Sequence, residues 1–225
     1  MQLTILMPCL NESRTVGKCV DDAHKFLQKN NIDGEVIVAD SSSDMSADIA
    51  ESHGARVVSC KSKGYGARIK RGLSCSRGKY IIVADCDGRY DLRHLESLYK
   101  ALKNGFDFVV GDRFACYIEK GTLSIRHKFG AKFVSFMGRK MFHNDIQDYT
   151  CGLRGMSKES ADNLDFHSDS GALATEMVAD YEKSDYSMCQ VPVFLYNKHE
   201  VIDTFTPSKW FTHLKMMFKV KHSTI

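Results

Sequence analysis

The segment Tyr80–Asp91, YIIVADCDGRYD, constrains the fold of this chain more than any other. Tyr80-Ile81-Ile82-Val83-Ala84 is apolar, rich in β-branched residues and without polar alternation, the pattern of a parallel strand buried on both faces. The run stops at two acids one residue apart, Asp85 and Asp87, followed by Gly88 and Arg89. Such a strand belongs to an open α/β sheet, and ligands bind these sheets at the carboxyl ends of the strands. Carboxylates crowded there repel one another unless a cation or a ligand hydroxyl compensates. Hard oxygen ligands suit Mg²⁺ or Mn²⁺, ions that commonly bridge to a diphosphate. An acidic solvated loop would show the same D-x-D, so the tripeptide draws its meaning from the strand before it. Cys86, between the acids, reads as a small filler pointing away from them.

The first two-thirds of the chain repeats the theme. Leu3–Pro8, Glu35–Ala39, Arg56–Ser59, Tyr80–Asp85 and Phe106–Gly111 read as strands; Thr15–Asn30, Ser46–His53, Ala67–Ser76 and Leu92–Asn104 read as helices. This β-α-β-α alternation predicts an α/β fold, a mostly parallel sheet with helices on both faces. Pro8-Cys9-Leu10-Asn11-Glu12 follows the first strand, Asp40-Ser41-Ser42-Ser43-Asp44 the second, and the D-x-D the fourth. Asp44 and Asp91 also stand where helix N-caps would. After the third strand, Lys63-Gly64-Tyr65-Gly66-Ala67 forms a glycine turn into a helix whose first amides could face an anion. Acids after three strands on one edge exceed what turn geometry needs. Neither G-x-G-x-x-G after the first strand nor G-x-x-x-x-G-K-[ST] occurs, which weakens dinucleotide and P-loop readings.

With 225 residues, 43% of them hydrophobic, the chain can bury one sizeable core. No apolar run approaches the roughly 18–20 residues of a membrane span, and MQLTILMPCLNES lacks a basic leader. The eight cysteines are scattered without a C-x-x-C pair. Reduced thiols in a cytoplasmic protein are therefore expected, rather than zinc or a disulfide framework. The histidines form no ligand cluster. Net charge is only +3, and residues 198–225, with five lysines and two acids, account for it. A nucleic-acid partner is not indicated.

In order along the chain stand MPCLNE, VIVADSSSDMSADIA, KGYGARIKRG, VADCDGRYD, VVGDRF, IQDYTCGLRGMS, TEMV and VPVFLY. With these pieces the chain resembles a family 2 glycosyltransferase of the GT-A fold, in the dolichol-phosphate mannose synthase and polyprenyl-phosphate branch, over roughly residues 1–200. The resemblance implies inverting transfer of a sugar from a UDP- or GDP-sugar to a polyprenyl phosphate (dolichyl or undecaprenyl), with Mg²⁺ or Mn²⁺. It implies that Pro8, Asn11, Glu12 and Asp40 line the nucleotide pocket. Gly64 and Gly66 belong to one of the matching pieces, the glycine turn. Asp85 would face ribose or metal, and Asp87 would bind the metal. Arg89 stands where relatives often carry Gln, Thr or Ser; it cannot ligate a cation, but it can pair with phosphate. Arg113 would face the donor sugar or the acceptor phosphate. Asp148 would be the general base for a hydroxyl acceptor, or would orient the donor sugar for a phosphate acceptor, with Arg154 and Glu176 in support. Lys198 would replace an arginine that relatives use to hold the lipid phosphate.

Two basic segments complete the reading. RHKFGAKFVSFMGRKMF begins at Arg126, a candidate contact for the phosphate of a lipid acceptor, and sets Phe129, Phe133, Met137 and Met141 at helical spacing among five cations. SKWFTHLKMMFKVKHSTI sets Trp210, Phe211, Leu214, Met217 and Phe218 on one helical face. The expected organisation is a glycosyltransferase domain over residues 1–207 and a basic amphipathic helix over 208–225, peripheral on the cytoplasmic face of a membrane. A solvated helix packed on the domain would carry the same pattern. A saccharide or small-molecule hydroxyl as acceptor, and a non-catalytic nucleotide-sugar-binding subunit, remain the alternatives.

Overall fold

The computed structural model describes residues 1–116, 119, 122–196 and 206–223. The elements in chain order are β1 (Leu3–Cys9), α1 (Val16–Lys29), β2 (Gly34–Asp40), α2 (Ser46–Ser52), β3 (Arg56–Ser59), α3 (Tyr65–Cys75), β4 (Tyr80–Val83), α4 (Glu96–Lys103) and β5 (Phe108–Asp112). There follow α5 (Ile125–Phe142), β6 (Arg154–Ser157), α6 (Lys158–Asn163), α7 (Leu173–Lys183), β7 (Met188–Pro192) and α8 (Pro207–His222). Seven strands form one sheet in the order β3-β2-β1-β4-β6-β5-β7. All pairings are parallel except those of β6, which runs antiparallel to both neighbours.

The strand order reverses between β1 and β4. From β1 the chain steps outward through β2 and β3, then returns to lay β4 on the other side. The loops leaving β1 and β4 therefore diverge and open a crevice at their carboxyl ends. β1 is buried along its whole length, as a central strand covered on both faces must be. Its register sets Cys9 beside Asp40 and Leu6 beside Val83. All three acid-bearing loops thus leave one edge.

Several boundaries differ from the sequence reading. β4 stops at Val83, although the Ala84 amide still donates to the Leu6 carbonyl at 2.9 Å. α4 starts at Glu96, so Asp91 caps nothing; it holds the Arg93 guanidinium instead, at 2.6 and 2.8 Å. Asp44 does serve a helix start, accepting from the Ser46 amide at 3.0 Å. β6 and β7 are additions. Their sequences, RGMS and MCQVP, carry little apolar periodicity, and the neighbouring strands define them.

The two basic helices each bury one stripe and leave aromatic residues exposed. α5 turns inward a stripe of mostly small residues, Gly130, Ala131, Val134, Ser135 and Gly138, with Met141, while Phe129, Phe133 and Phe136 face outward. A Cβ on Gly130 would lie 2.2 Å from the Trp210 ring, so the glycine permits the close crossing of α8. α8 rests on α5 and α7 through Trp210, His213, Leu214, Met217 and Val220. Phe211 and Phe218, read with Trp210, Leu214 and Met217 as one helical face, are instead 71% and 50% exposed, apart from the packed residues. His213 takes the inward place because its ring reaches the Thr175 hydroxyl at 3.2 Å.

Candidate active site

The loops after β1 and β2 are laced together by side chains that turn residues commonly supply. Asn11 adopts a left-handed φ of 59°, a conformation asparagine tolerates better than most residues. Its Oδ1 accepts from the Ser43 amide at 2.9 Å, and its own amide donates to Ser42 Oγ at 2.7 Å. Ser42 in turn donates through its amide and hydroxyl to both oxygens of Asp40, at 3.0 and 2.5 Å. Asn11 and Asp40 therefore shape this edge by holding its loops together. Pro8 is buried within β1, and its carbonyl accepts from the Cys86 thiol at 3.5 Å. Cys86 thus points away from the flanking acids, as its spacing suggested.

Glu12, Asp87 and Asp85 form a continuous acidic edge from β1 to β4. Burial raises the Glu12 pKa, and Asp87 adds to the shift. Burial and then Asp87 raise the Asp85 carboxyl likewise, against Arg89 and Tyr65. Tyr65 Oη donates to Asp85 Oδ1 at 2.7 Å. Asp87 is held from within its own turn, by the Arg89 amide at 3.0 Å and Arg89 Nε at 2.6 Å.

Two carboxylates with a third in electrostatic range make a hard-oxygen donor set, and Mg²⁺ or Mn²⁺ often takes one or two carboxylates with substrate phosphates. Among the described residues, no three His, Cys, Asp or Glu side chains could hold an ion together. Asp85 and Asp87 supply carboxylate oxygens that fit a cation only if a bound diphosphate completes its shell. Arg89 would have to release Asp87 for that, and could then pair with phosphate.

Beside Asp85 opens a cavity of about 420 Å³. Tyr65, Asp85, Arg89, Tyr90, Arg113 and Thr150 line its sheet end; His127, Lys209, Thr212 and His213 from α5 and α8 line the other. Pro8, Asn11, Glu12, Asp40 and Asp87 lie on the same sheet edge but outside this cavity. The α5 and α8 residues escaped sequence reasoning, and so did Tyr65 as a partner of Asp85. The i,i+4 pair Lys209 and His213 was the available signal, hidden by the aromatic residues around it. Burial lowers the His213 pKa to about 4, with further lowering from Arg154, Lys209 and His127.

Arg113 lines the cavity and is held there by Asp148. Arg113 donates through Nε to Asp148 Oδ2 at 2.6 Å, through Nη2 to Oδ1 at 2.8 Å, and to Thr150 Oγ1 at 2.7 Å. Asp148 is 0% exposed and Arg113 only 4%. Burial pushes the Asp148 pKa up, but the Arg113 guanidinium outweighs it and holds the carboxyl below its ordinary value. A carboxylate so locked is a poor general base. Its geometry assigns it to positioning Arg113.

Other expectations need correction. Arg154 and Glu176, expected to support the site, each hold backbone groups. Arg154 is buried against the carbonyls of Cys151, Tyr149 and Ala174. Glu176 accepts from the amides of His167 and Ser168, both at 2.8 Å. That clamp sets the Asp169 carbonyl over α3, where it accepts from the Gly66 amide at 2.9 Å. The α3 amides are thus engaged by backbone rather than open to an anion. Gly64 and Gly66 serve this close approach, since a Cβ on either would meet the 168–169 backbone within 2.3 Å. Arg126 is exposed on the first turn of α5; its neighbour His127 lines the cavity instead. Lys198 lies outside the described residues.

Comparison with known proteins adds the lineage. Low-salt glycan biosynthesis hexosyltransferase Agl6 of Haloferax volcanii is 29% identical over 193 residues, 85% of this chain and 47% of the relative. The chain therefore spans about half the length of that protein. The dolichyl-phosphate hexose transferase of the same organism is 24% identical, over 85% of this chain and 81% of its own length. Glucosyl-3-phosphoglycerate synthase of Mycobacterium tuberculosis, solved with Mn²⁺, UDP and phosphoglyceric acid, superposes with a TM-score of 0.78 at 18% identity. That match covers 100% of this chain and 80% of the other, which bears out the GT-A fold. The model for glycosyl transferase family 2 matches residues 4–165, well over half of the sequence, and the chain belongs to that family.

Proposed function

We propose that the protein is an inverting glycosyltransferase that moves a sugar from a UDP- or GDP-sugar to the phosphate of a polyprenyl phosphate at a membrane surface. The observation that carries this reading is the junction of an acidic strand edge, Glu12, Asp87 and Asp85, with a cavity whose far end is basic. The nucleotide lies along Pro8–Glu12, Asp40 and Asp85–Asp87, and the sugar enters the cavity past Tyr65 and Arg113. An acceptor oxygen attacks C1 as the C1–O bond to the diphosphate breaks, and the nucleoside diphosphate departs with the bonding pair. A cation held by Asp85 and Asp87 would neutralise charge on that leaving group. A phosphate acceptor is already anionic and needs no base, which agrees with the engagement of Asp148 by Arg113. A hydroxyl acceptor would need one. The name of the Haloferax dolichyl-phosphate hexose transferase supports the same acceptor class.

The test is transfer from a panel of UDP- and GDP-sugars to dolichyl or undecaprenyl phosphate in detergent. Product is expected with Mn²⁺ or Mg²⁺ and is expected to vanish on exhaustive chelation. Full activity in EDTA would refute the cation; transfer to glycan hydroxyls alone would refute the acceptor.

The membrane part of the proposal rests on α5 and α8. Of the nine exposed large hydrophobic residues among those described, six lie on these helices: Ile125, Phe129, Phe133, Phe136, Phe211 and Phe218. The same two helices hold nine lysines and arginines and no acid. Aromatic side chains among cations suit the interface of an anionic bilayer. No helix among the described residues is long and apolar enough to cross a membrane. Each lysine near such a surface contributes about 1 kcal/mol. Changing Lys215, Lys219 and Lys221 to Glu is therefore expected to weaken binding to phosphatidylglycerol vesicles by about a hundredfold or more. Flotation unaffected by salt or by these changes would remove the electrostatic contribution.

A further inference from the structure

We infer that Lys209 and Thr212 of α8, with His127 of α5, form the subsite that holds the phosphate monoester of the acceptor. The inference rests on the function proposed above and assigns one end of its cavity.

Arg113 is committed to Asp148, and Arg89 stands at the sheet end beside Asp85 and Asp87, where the donor diphosphate would engage it. Arg154 lies buried against three carbonyls. Lys209 reaches the cavity from the first turn of α8 and forms no ion pair among the described residues. Thr212 lines the same end one turn on, and His127 faces it from the first turn of α5. Among the described residues no carboxylate lines this end, and the one acid that lines the cavity, Asp85, belongs to the sheet end. The depressed pKa of His213 has Lys209 and His127 among its causes, an independent sign that positive charge gathers here. An ammonium and a hydroxyl, with an imidazole opposite, supply donors on two sides of an anion.

The position also suits an apolar tail. Phe129 and Trp210, the neighbours of this end, approach at 5.9 Å between ring centroids. Phe129, Phe133 and Phe211 continue outward as the exposed aromatic face. A phosphate at Lys209 could thus leave its hydrocarbon over that face. Phosphate on a small soluble acid would meet the same donors without using the aromatic residues, so the two sources share one headgroup chemistry.

Acceptor kinetics of the full chain, with the donor that supports turnover, separate the possibilities. Geranyl phosphate probes the lipid source, 3-phosphoglycerate the soluble one, and geraniol the need for phosphate. Lys209→Ala is expected to raise the KM for the phosphorylated acceptor about tenfold or more, since charged hydrogen bonds are worth roughly one to two decades. The donor KM should move far less, and Lys209→Arg should recover most of the loss. Thr212→Val and His127→Gln should raise the same KM by smaller factors. Lys100→Ala, on the distant surface of α4, controls for a general charge effect. A preference for geranyl phosphate over 3-phosphoglycerate establishes the lipid source, and the reverse preference the soluble one. If wild-type enzyme uses a phosphate acceptor but Lys209→Ala leaves its KM unchanged, the subsite is overturned and the proposed function stands. If wild-type enzyme glycosylates geraniol as well as geranyl phosphate, the phosphate-acceptor reading falls with it.

Discussion

Asp87→Asn is expected to lower sugar transfer by about two to three orders of magnitude, the scale of removing one preorganised charge from a reacting centre. The fold should tolerate it, with a thermal midpoint within a few degrees of wild type. Asp87 stands in a loop at the sheet edge, and its charge burdens its neighbours: it raises the pKa of both Asp85 and Glu12. Removing that charge relieves two half-buried carboxylates. The cost is a looser Arg89, whose side chain is 19% exposed and can reach water. Function should suffer where stability does not, because the native charge serves a ligand absent from the unliganded fold. Calorimetric titration of UDP in the presence of Mn²⁺ gives a second reading, with binding expected to weaken alongside turnover. Turnover close to wild type would show that Asp87 neither holds the cation nor faces the diphosphate.

The acids of this edge were legible in the sequence because each follows a buried apolar strand, and strands of that kind must end at a common edge. Glu12, Asp40, Asp85 and Asp87 needed only β1, β2 and β4 to be parallel neighbours. The carboxylate of Asp148 was legible only as a chemical group. Its partner Arg113 lies 35 residues away, and nothing local in GDR or QDY announces a buried bidentate pair. The partners of Glu176 and Arg154 were hidden for the same reason: this acid clamps two backbone amides, and the arginine three carbonyls. The helices were ambiguous for a different reason. Large aromatic residues at helical spacing normally mark the buried stripe, but α5 buries Gly130, Ala131, Ser135 and Gly138, which carry almost no hydrophobic signal. Small residues mark close helix contact, and that contact requires α8, 80 residues further along. The cavity end built by Lys209, Thr212 and His127 depends on the same long-range crossing and was invisible for that reason.

Asp148→Ala is expected to destabilise the protein by about 3–5 kcal/mol, the usual result of stranding one partner of a buried ion pair. Arg113 would remain almost fully buried with its charge uncompensated. Replacing both, as in Asp148→Ala with Arg113→Met, should recover much of the loss, because the desolvated charge goes too. Urea unfolding of the two single variants and the double variant closes the cycle. The pH dependence has a definite sign. Asp148 has a folded pKa below its unfolded value, so its contribution is fully present above about pH 4 and is lost as pH falls through the lower folded value. Wild type should therefore lose stability more steeply than Asp148→Asn on the acid side, and the two curves should converge at the lowest pH. A loss below about 1 kcal/mol in Asp148→Ala, or a double variant no better than the single, would show that the pair is not a structural unit. The isosteric change also separates the two roles proposed for this residue. If Asp148 were a general base, Asp148→Asn would abolish transfer to a hydroxyl and remove the acid limb of the pH–rate profile. As the support of Arg113, the same change should lower stability and weaken transfer together, and the pH–rate profile should keep its acid limb.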